Sequence, residues 1–296
     1  MRYEQILKAI SETCWMIHRP KLEEIIGVVE ARAKGVTLET DRFAAIEARR
    51  KSHLGTQGRV HVMGLHGTIS QRPSLFSVSG GTSTEEFGRE LDAALRDPDI
   101  GAVLIDADSP GGSVFGVHEL SQKIFAARGT KPIAAVANPE AYSAAYYVAS
   151  SADELWVTPT GMVGSVGVVA THIDYSQANA EDGVKVTYVT AGRHKVEGNP
   201  DEPLGDEAKA ELQRHVDRYY KMFVESVARN RKTSVERVEA DFGQGRIVGA
   251  ESAVARNMAD HIGTLSEAVT ALNARVQTGR GTRMERRKLA VAGARR

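Results

Sequence analysis

Residues 101–128 read GAVLIDADSPGGSVFGVHELSQKIFAAR. The run opens as a near-continuous apolar strand (101–108) and closes as an amphipathic helix (114–128). A strand without polar alternation is buried on both faces, which predicts a parallel sheet covered by helices. Between the two lies the glycine turn DADSPGGSVFG (106–116), where the proline fixes one backbone angle and the glycines open conformations that other residues avoid. Such a turn can aim consecutive N–H groups at one point, suited to a phosphate or to the oxyanion of a tetrahedral intermediate. It matches neither glycine-rich phosphate motif, and a plain strand-to-helix connection has the same composition.

The same alternation extends outward. Upstream, RVHVMGL (59–65) is strand-like, and TSTEEFGRELDAALRD (82–97) is a helix with a Ser/Thr cap ahead of glutamates. Downstream, PIAAVAN (132–138), ELWVT (154–158), GSVGVVAT (164–171) and VKVTYVT (184–190) read as strands, and Asp206 to Arg231 as one long helix. Residues 1–55 read as helical and charged. KLEEIIGVVEARAKG (21–35) puts Leu22, Ile25, Ile26 and Val29 at helical spacing before Gly35, a C-cap, and TDRFAAIEARR (40–50) forms a second short helix. The expected organisation is a helical N-terminal appendage (1–55), an α/β domain (56–273) and a flexible basic tail (274–296).

Composition narrows the function classes. With 42% hydrophobic residues the 296-residue chain can bury a substantial core, and 28 glycines with only 6% aromatics suit close-packed α/β layers. The formal net charge is zero, so no global field draws the protein to nucleic acid or membrane, and neither partner is expected. The tail is the exception: eight Lys/Arg against one Glu from Ala274 to Arg296. Cys14 is the single cysteine, which excludes an internal disulfide and a cysteine-based zinc site and suits a reducing, cytoplasmic compartment. No run of 18 apolar residues and no cleavable leader pattern is evident, so neither membrane anchor nor secretory signal is expected.

In NPEAYSAAYYVAS (138–150), Ser143 stands where a short helix begins, 31 residues beyond Gly112. Both segments follow carboxyl ends of strands, where ligand sites of parallel sheets gather. A lone helical serine is ordinarily just small; the glycine turn in the matching topological place is what raises Ser143 above that. A serine nucleophile needs a base. His172 is one candidate, with Asp174 two residues on a poor orienter for it. Lys195 is the other, because burial beside apolar groups lowers a lysine's pKa until its neutral amine accepts a proton. The residues alone leave both open.

DSPGG (108–112), AYSAAYYVASSAD (141–153), GMVGSVGVV (161–169) and AGRHKVEGNPDEPL (191–204) occur in the order and spacing of the signal peptide peptidase A-like serine peptidases. The resemblance continues through FVESVARNR (223–231) and GAESAVARNMADHIG (249–263), covering roughly Val60 to Leu272. HKVEGNPDEPL and the N-terminal PKLEEIIGVVEARAKG resemble the phage prohead (capsid-maturation) protease branch. The resemblance implies an α/β ClpP/crotonase-like fold of repeated ββα units, a serine endopeptidase acting on capsid, scaffold or portal polypeptides, no cofactor or metal, and a homo-oligomer with active sites near subunit interfaces. Carried over by position, it implies Ser143 as nucleophile, Lys195 as base and Gly112 and Ala144 N–H groups as the oxyanion hole. Gly111 would shape the turn and Ser165 orient the lysine. Asn257 stands where that pattern has glycine, and asparagine tolerates a left-handed turn. The alternatives are a cellular signal-peptide or peptide-degrading peptidase, a crotonase-like acyl-CoA enzyme, or an inactive scaffold-binding relative.

Overall fold

The structure, a computed structural model, describes residues 14–33, 54–73 and 80–278. The proposed helix over 40–50, the Gly35 cap and the tail beyond residue 278 lie outside that set. At the centre are three long neighbouring strands, β3 (Val60–Ser70), β5 (Ala102–Ser113) and β6 (Ile133–Tyr142), all parallel. Each presents apolar side chains to both faces, which is why the sequence reads as unbroken hydrophobic runs. Met63, Leu65, Val103, Ile105, Ile133 and Ala135 point into the main core. Their alternates Val60, Val62, Leu104, Ala134 and Val136 meet Ala268, Val269 and Leu272 on the opposite face.

The helices that cover the main core follow the predicted spacing. In α2 (Thr84–Arg96), Ser83 caps the start by accepting the Glu86 N–H, and Phe87, Leu91 and Ala94 are buried. After β5, α3 (Val117–Ala127) buries Val117, Leu120 and Ile124. The short α4 (Ala144–Ala149) is wholly buried. The long α6 (Asp206–Asn230) buries only Ala208 until Phe223, then packs Val224, Val227 and Ala228 into the core. The remaining helices are α1 (Arg19–Ala33), α5 (Ser176–Glu181), α7 (Val235–Asp241), α8 (Ala250–Ala255) and α9 over residues 265–278. Among the described residues no helix is long and apolar enough to cross a membrane.

The ten-stranded sheet runs β10 (His261–Ile262), β7 (Glu154–Val157), β6, β5, β3, β2 (Gly55–Gln57). Side branches are β1 (Trp15–Ile17) on β5, β4 (Thr82–Ser83) on β3, and β8 (Met162–Gly164) joining β6 to β9 (Ile247–Gly249). The β2–β3 turn meets α9 where the Asn273 side chain accepts the Arg59 N–H at 2.9 Å and donates to the Gln57 carbonyl at 3.1 Å.

Four local readings change. The glycine segment is strand rather than turn, because Gly111 and Gly112 pair with Thr68 and Ile69 of β3 on one side and with β1 on the other. Trp15–Ile17, within a segment read as helical, is that β1. GSVGVVAT forms strand only at its first residue, since beyond Gly164 it gains a single bridge, Val169 to Trp15. VKVTYVT forms no strand. Backbone extends into a ladder only where a partner satisfies its N–H and C=O groups, and this segment has none among the described residues. Its apolar residues Val184, Val186, Tyr188 and Val189 are 42–96% exposed.

An ion pair between the buried Arg231 and the more exposed Asp260 locks the C-terminal part to the sheet. Arg231 donates to Asp260 through Nη1 and Nη2, both at 2.8 Å, and through Nε to the Asn257 carbonyl at 2.9 Å. Asn257 adopts φ 65°, the left-handed conformation anticipated for it. Burial pushes the Asp260 carboxyl up, but the Arg231 hydrogen bonds and charge outweigh this and hold it below its ordinary value of 3.8. Its contribution to stability is therefore complete above that value and lost as pH falls through the lowered one. Asp260→Asn, which leaves the buried Arg231 guanidinium without its counter-ion, is expected to cost about 1–3 kcal/mol in denaturant unfolding. The variant should also lose this pair's share of the stability decline below about pH 4.

Candidate active site

The ends of β5, β6 and β8 build the site. Ser109 Oγ donates to the Gly67 carbonyl at 2.6 Å and accepts the Gly111 N–H at 3.1 Å, which commits the Gly111 donor internally. Gly111 has φ +100°, and a Cβ there would stand 2.2 Å from the Met16 oxygen, 3.0 Å from the Tyr142 oxygen and 3.1 Å from the Ala144 nitrogen. At Gly112 a Cβ would lie 2.0 Å from the Ile69 oxygen, inside β3. Both glycines are thus demanded by close backbone approach, on different sides.

Ser143 follows the last residue of β6. Its backbone, φ 53° and ψ −115°, is rare for a residue with a Cβ. Such geometry costs about 1–3 kcal/mol and persists only where its surroundings over-determine it. Here the Ser143 N–H donates to the Gly164 carbonyl at 2.8 Å, and the Ser143 carbonyl accepts the Tyr147 N–H at 2.9 Å. Its side chain is 1% exposed, with Oγ donating weakly to the Gly167 carbonyl at 3.4 Å.

α4 behind it is pinned from several directions. Tyr146 donates to the Met258 carbonyl at 3.0 Å, and Tyr147 stacks on Phe223 at 4.6 Å while its hydroxyl bonds Ser226 at 2.8 Å. Burial is the main reason that the Tyr147 phenol is pushed up to about 12. Arg128, at the end of α3, donates to the Ser150, Ser151 and Ala152 carbonyls that close α4.

The pairing Tyr142 to Gly164 carries on to set Ser165 beside Ser143 on the adjacent chain, also at φ 53° and buried. Gly111 thus meets Ala144 directly, and Ser165 follows the residue whose carbonyl accepts the Ser143 N–H. Lys195 differs from these buried residues. It is exposed in a run of turns, and its Nζ makes no hydrogen bond or ion pair among the described residues. His172 is half-buried with a buried Nε2 that finds no partner among the described residues, while Asp174 is exposed and accepts the Ser176 N–H. One group of metal-capable side chains exists among the described residues, His194, Glu197 and Glu207, none of them buried. Such surface clusters commonly hold no ion.

Sequence reasoning missed β1, which lies directly against the glycines, and His18, whose ring meets Tyr142 edge-on at 5.1 Å. Its only signal was the short apolar run CWMI (14–17) before Pro20.

Comparison with known proteins places this arrangement. The model for peptidase family S49 matches residues 126–278. The chain is 32% identical over 256 residues to the head-tail preconnector protein GP5 of Enterobacteria phage P21, covering 85% of this chain and 51% of that protein. It is 33% identical over 230 residues to capsid assembly protease C of Escherichia phage lambda, covering 76% and 52%. The chain thus spans about half the length of these relatives. A putative signal peptide peptidase SppA of Enterococcus faecium is more distant, at 26% identity over 189 residues, covering 64% and 55%. The family match takes in the strained serine, its neighbour across the sheet, the exposed lysine and the long helix behind them, just over half of the sequence, and this chain belongs to peptidase family S49.

Proposed function

We propose that the protein is a serine endopeptidase with Ser143 as nucleophile and Lys195 as general base. The observation that carries the reading is the strained, buried Ser143 beside the Ala144 N–H and the Gly111–Gly112 backbone. In this mechanism neutral Lys195 takes the Ser143 proton as Oγ attacks a peptide carbonyl. The N–H groups of Gly112 and Ala144 receive the oxyanion, Gly111 shapes the approach, and the lysine ammonium protonates the leaving amine. Water then hydrolyses the acyl-enzyme with Lys195 again as base. Ser165 supplies a hydroxyl partner for the buried amine. Membership in a peptidase family favours this over the acyl-CoA alternative.

A lysine base must be desolvated, and the exposed apolar segment leading to Lys195 suggests what covers it. Val184, Val186 and Tyr188 alternate as a half-buried strand would, yet here they face solvent. A second copy covering this segment would bury Lys195 beside a Ser143, so the active form is a homo-oligomer. The substrates are capsid or scaffold polypeptides, a reading supported by the similarity to the capsid assembly protease of phage lambda. The place of action is the host cytoplasm or prohead interior.

Ser143→Ala should reduce cleavage of casein or of the cognate capsid protein to background, as followed by mass spectrometry. Removal of a serine nucleophile costs about 10⁶ in kcat. Lys195→Arg keeps the charge but cannot deprotonate. It should be inactive while remaining folded, since within one chain the side chain makes no hydrogen bond or ion pair among the described residues. Normal cleavage by that variant would return His172 as the candidate base. Mixing the two inactive variants should restore part of the activity if serine and lysine come from different copies, whereas a persistent lack of cleavage would place them in one chain.

A further inference from the structure

β1 runs antiparallel to the glycine segment, with Trp15 opposite Ser113, Met16 opposite Gly112 and Ile17 opposite Gly111. Two residues either side of Met16 the ladder is fixed by bonds from the His18 N–H to the Pro110 carbonyl at 2.8 Å and from the Val114 N–H to the Cys14 carbonyl at 3.3 Å. Antiparallel pairs alternate between bonded and non-bonded positions, so Met16 and Gly112 form the bonded pair between these two. The Gly112 N–H, one of the two proposed oxyanion donors, is thereby spent on the Met16 carbonyl. The other donor borders the same space: one point, the place of a Gly111 Cβ, is 2.2 Å from the Met16 oxygen and 3.1 Å from the Ala144 nitrogen.

The far edge of β1 is occupied as well. Trp15 donates to the Val169 carbonyl at 2.8 Å and accepts the Val169 N–H at 2.9 Å. β1 thus lies in a slot bounded by Pro110–Val114 and Val169, whose backbone groups are those that an added extended peptide takes up. Side chains alternate across it. Cys14 and Met16 enter the main core, and Met16 is 2% exposed. Trp15 and Ile17 pack on the opposite side against Leu22, Ile25 and Ile26 of α1 and against Val169.

Resting on the assignment of Ser143 as nucleophile, we propose that Cys14–His18 is a built-in substrate mimic. It fills the groove by which an extended polypeptide reaches Ser143, presents the Met16 carbonyl to the oxyanion donors, and must leave before another chain can enter. The same geometry assigns the groove a preference for an apolar residue at the position of Met16. The small patch formed by Trp15, Ile17 and α1 is the latch, because it holds the strand without being part of the main core.

The test is the rate at which a fluorophosphonate probe labels Ser143 in the full chain and in the double variant Trp15→Ala/Ile17→Ala, which weakens the latch. The labelling rate scales with the fraction of chains whose groove is open, so the variant should react about tenfold faster or more. A synthetic peptide of residues 12–20 added to the variant should restore the slow rate. Equal rates in the two chains would overturn the mimic and leave the peptidase reading standing. No labelling and no casein cleavage by either would overturn the Ser143 assignment, and the mimic with it. Should the variant fail to fold, hydrogen exchange on the unmodified chain decides. The Trp15 and Val169 amides should exchange faster once Ser143 carries the probe, and unchanged protection would refute the proposal.

Discussion

The structure depends on how closely its backbone segments approach one another at Gly111 and Gly112. With no Cβ at either position, β3 comes within contact of one glycine while β1, the end of β6 and the start of α4 crowd the other. A methyl group at Gly112 would sit on the Ile69 carbonyl and force β3 and β5 apart, and these are the two most extensively paired strands of the sheet. The site is thus the point of the fold that tolerates the least added volume.

That tightness gives Ser143 its character. A residue with a side chain at φ 53° relaxes unless held, and the holding is done at a distance by groups that never approach its hydroxyl. Arg128 fixes the far end of α4, Tyr146 and Tyr147 tie its middle to the C-terminal helices, and Gly164 takes the serine's own N–H. The segment from residue 184 to 195 contrasts with this rigidity: it is exposed and forms no ladder.

What the sequence made legible follows the range of the interactions involved. The central strands were visible because apolar faces on both sides leave an unbroken run, and α2 because its cap and stripe are local. Ser143, Ala144 and the glycines could be placed near one another because strand ends in a parallel sheet share an edge. β1 stayed hidden, since three residues carry no periodicity and their extended form exists only against Ser113 and Val169, about 100 and 150 positions away. VKVTYVT misled for the converse reason. Its alternation is real, but alternation without a partner strand leaves apolar side chains in water. Lys195 was legible as a type and a spacing, while its environment depends on what covers that exposed segment.

The clamp at Asn273 has a geometric consequence for the whole body. One side chain grips both the β2–β3 turn, where the sheet's main path begins, and the final helix, where the described chain runs out. The polypeptide between these two contacts is therefore a loop closed upon itself, from the sheet's outer strand to the last described helix.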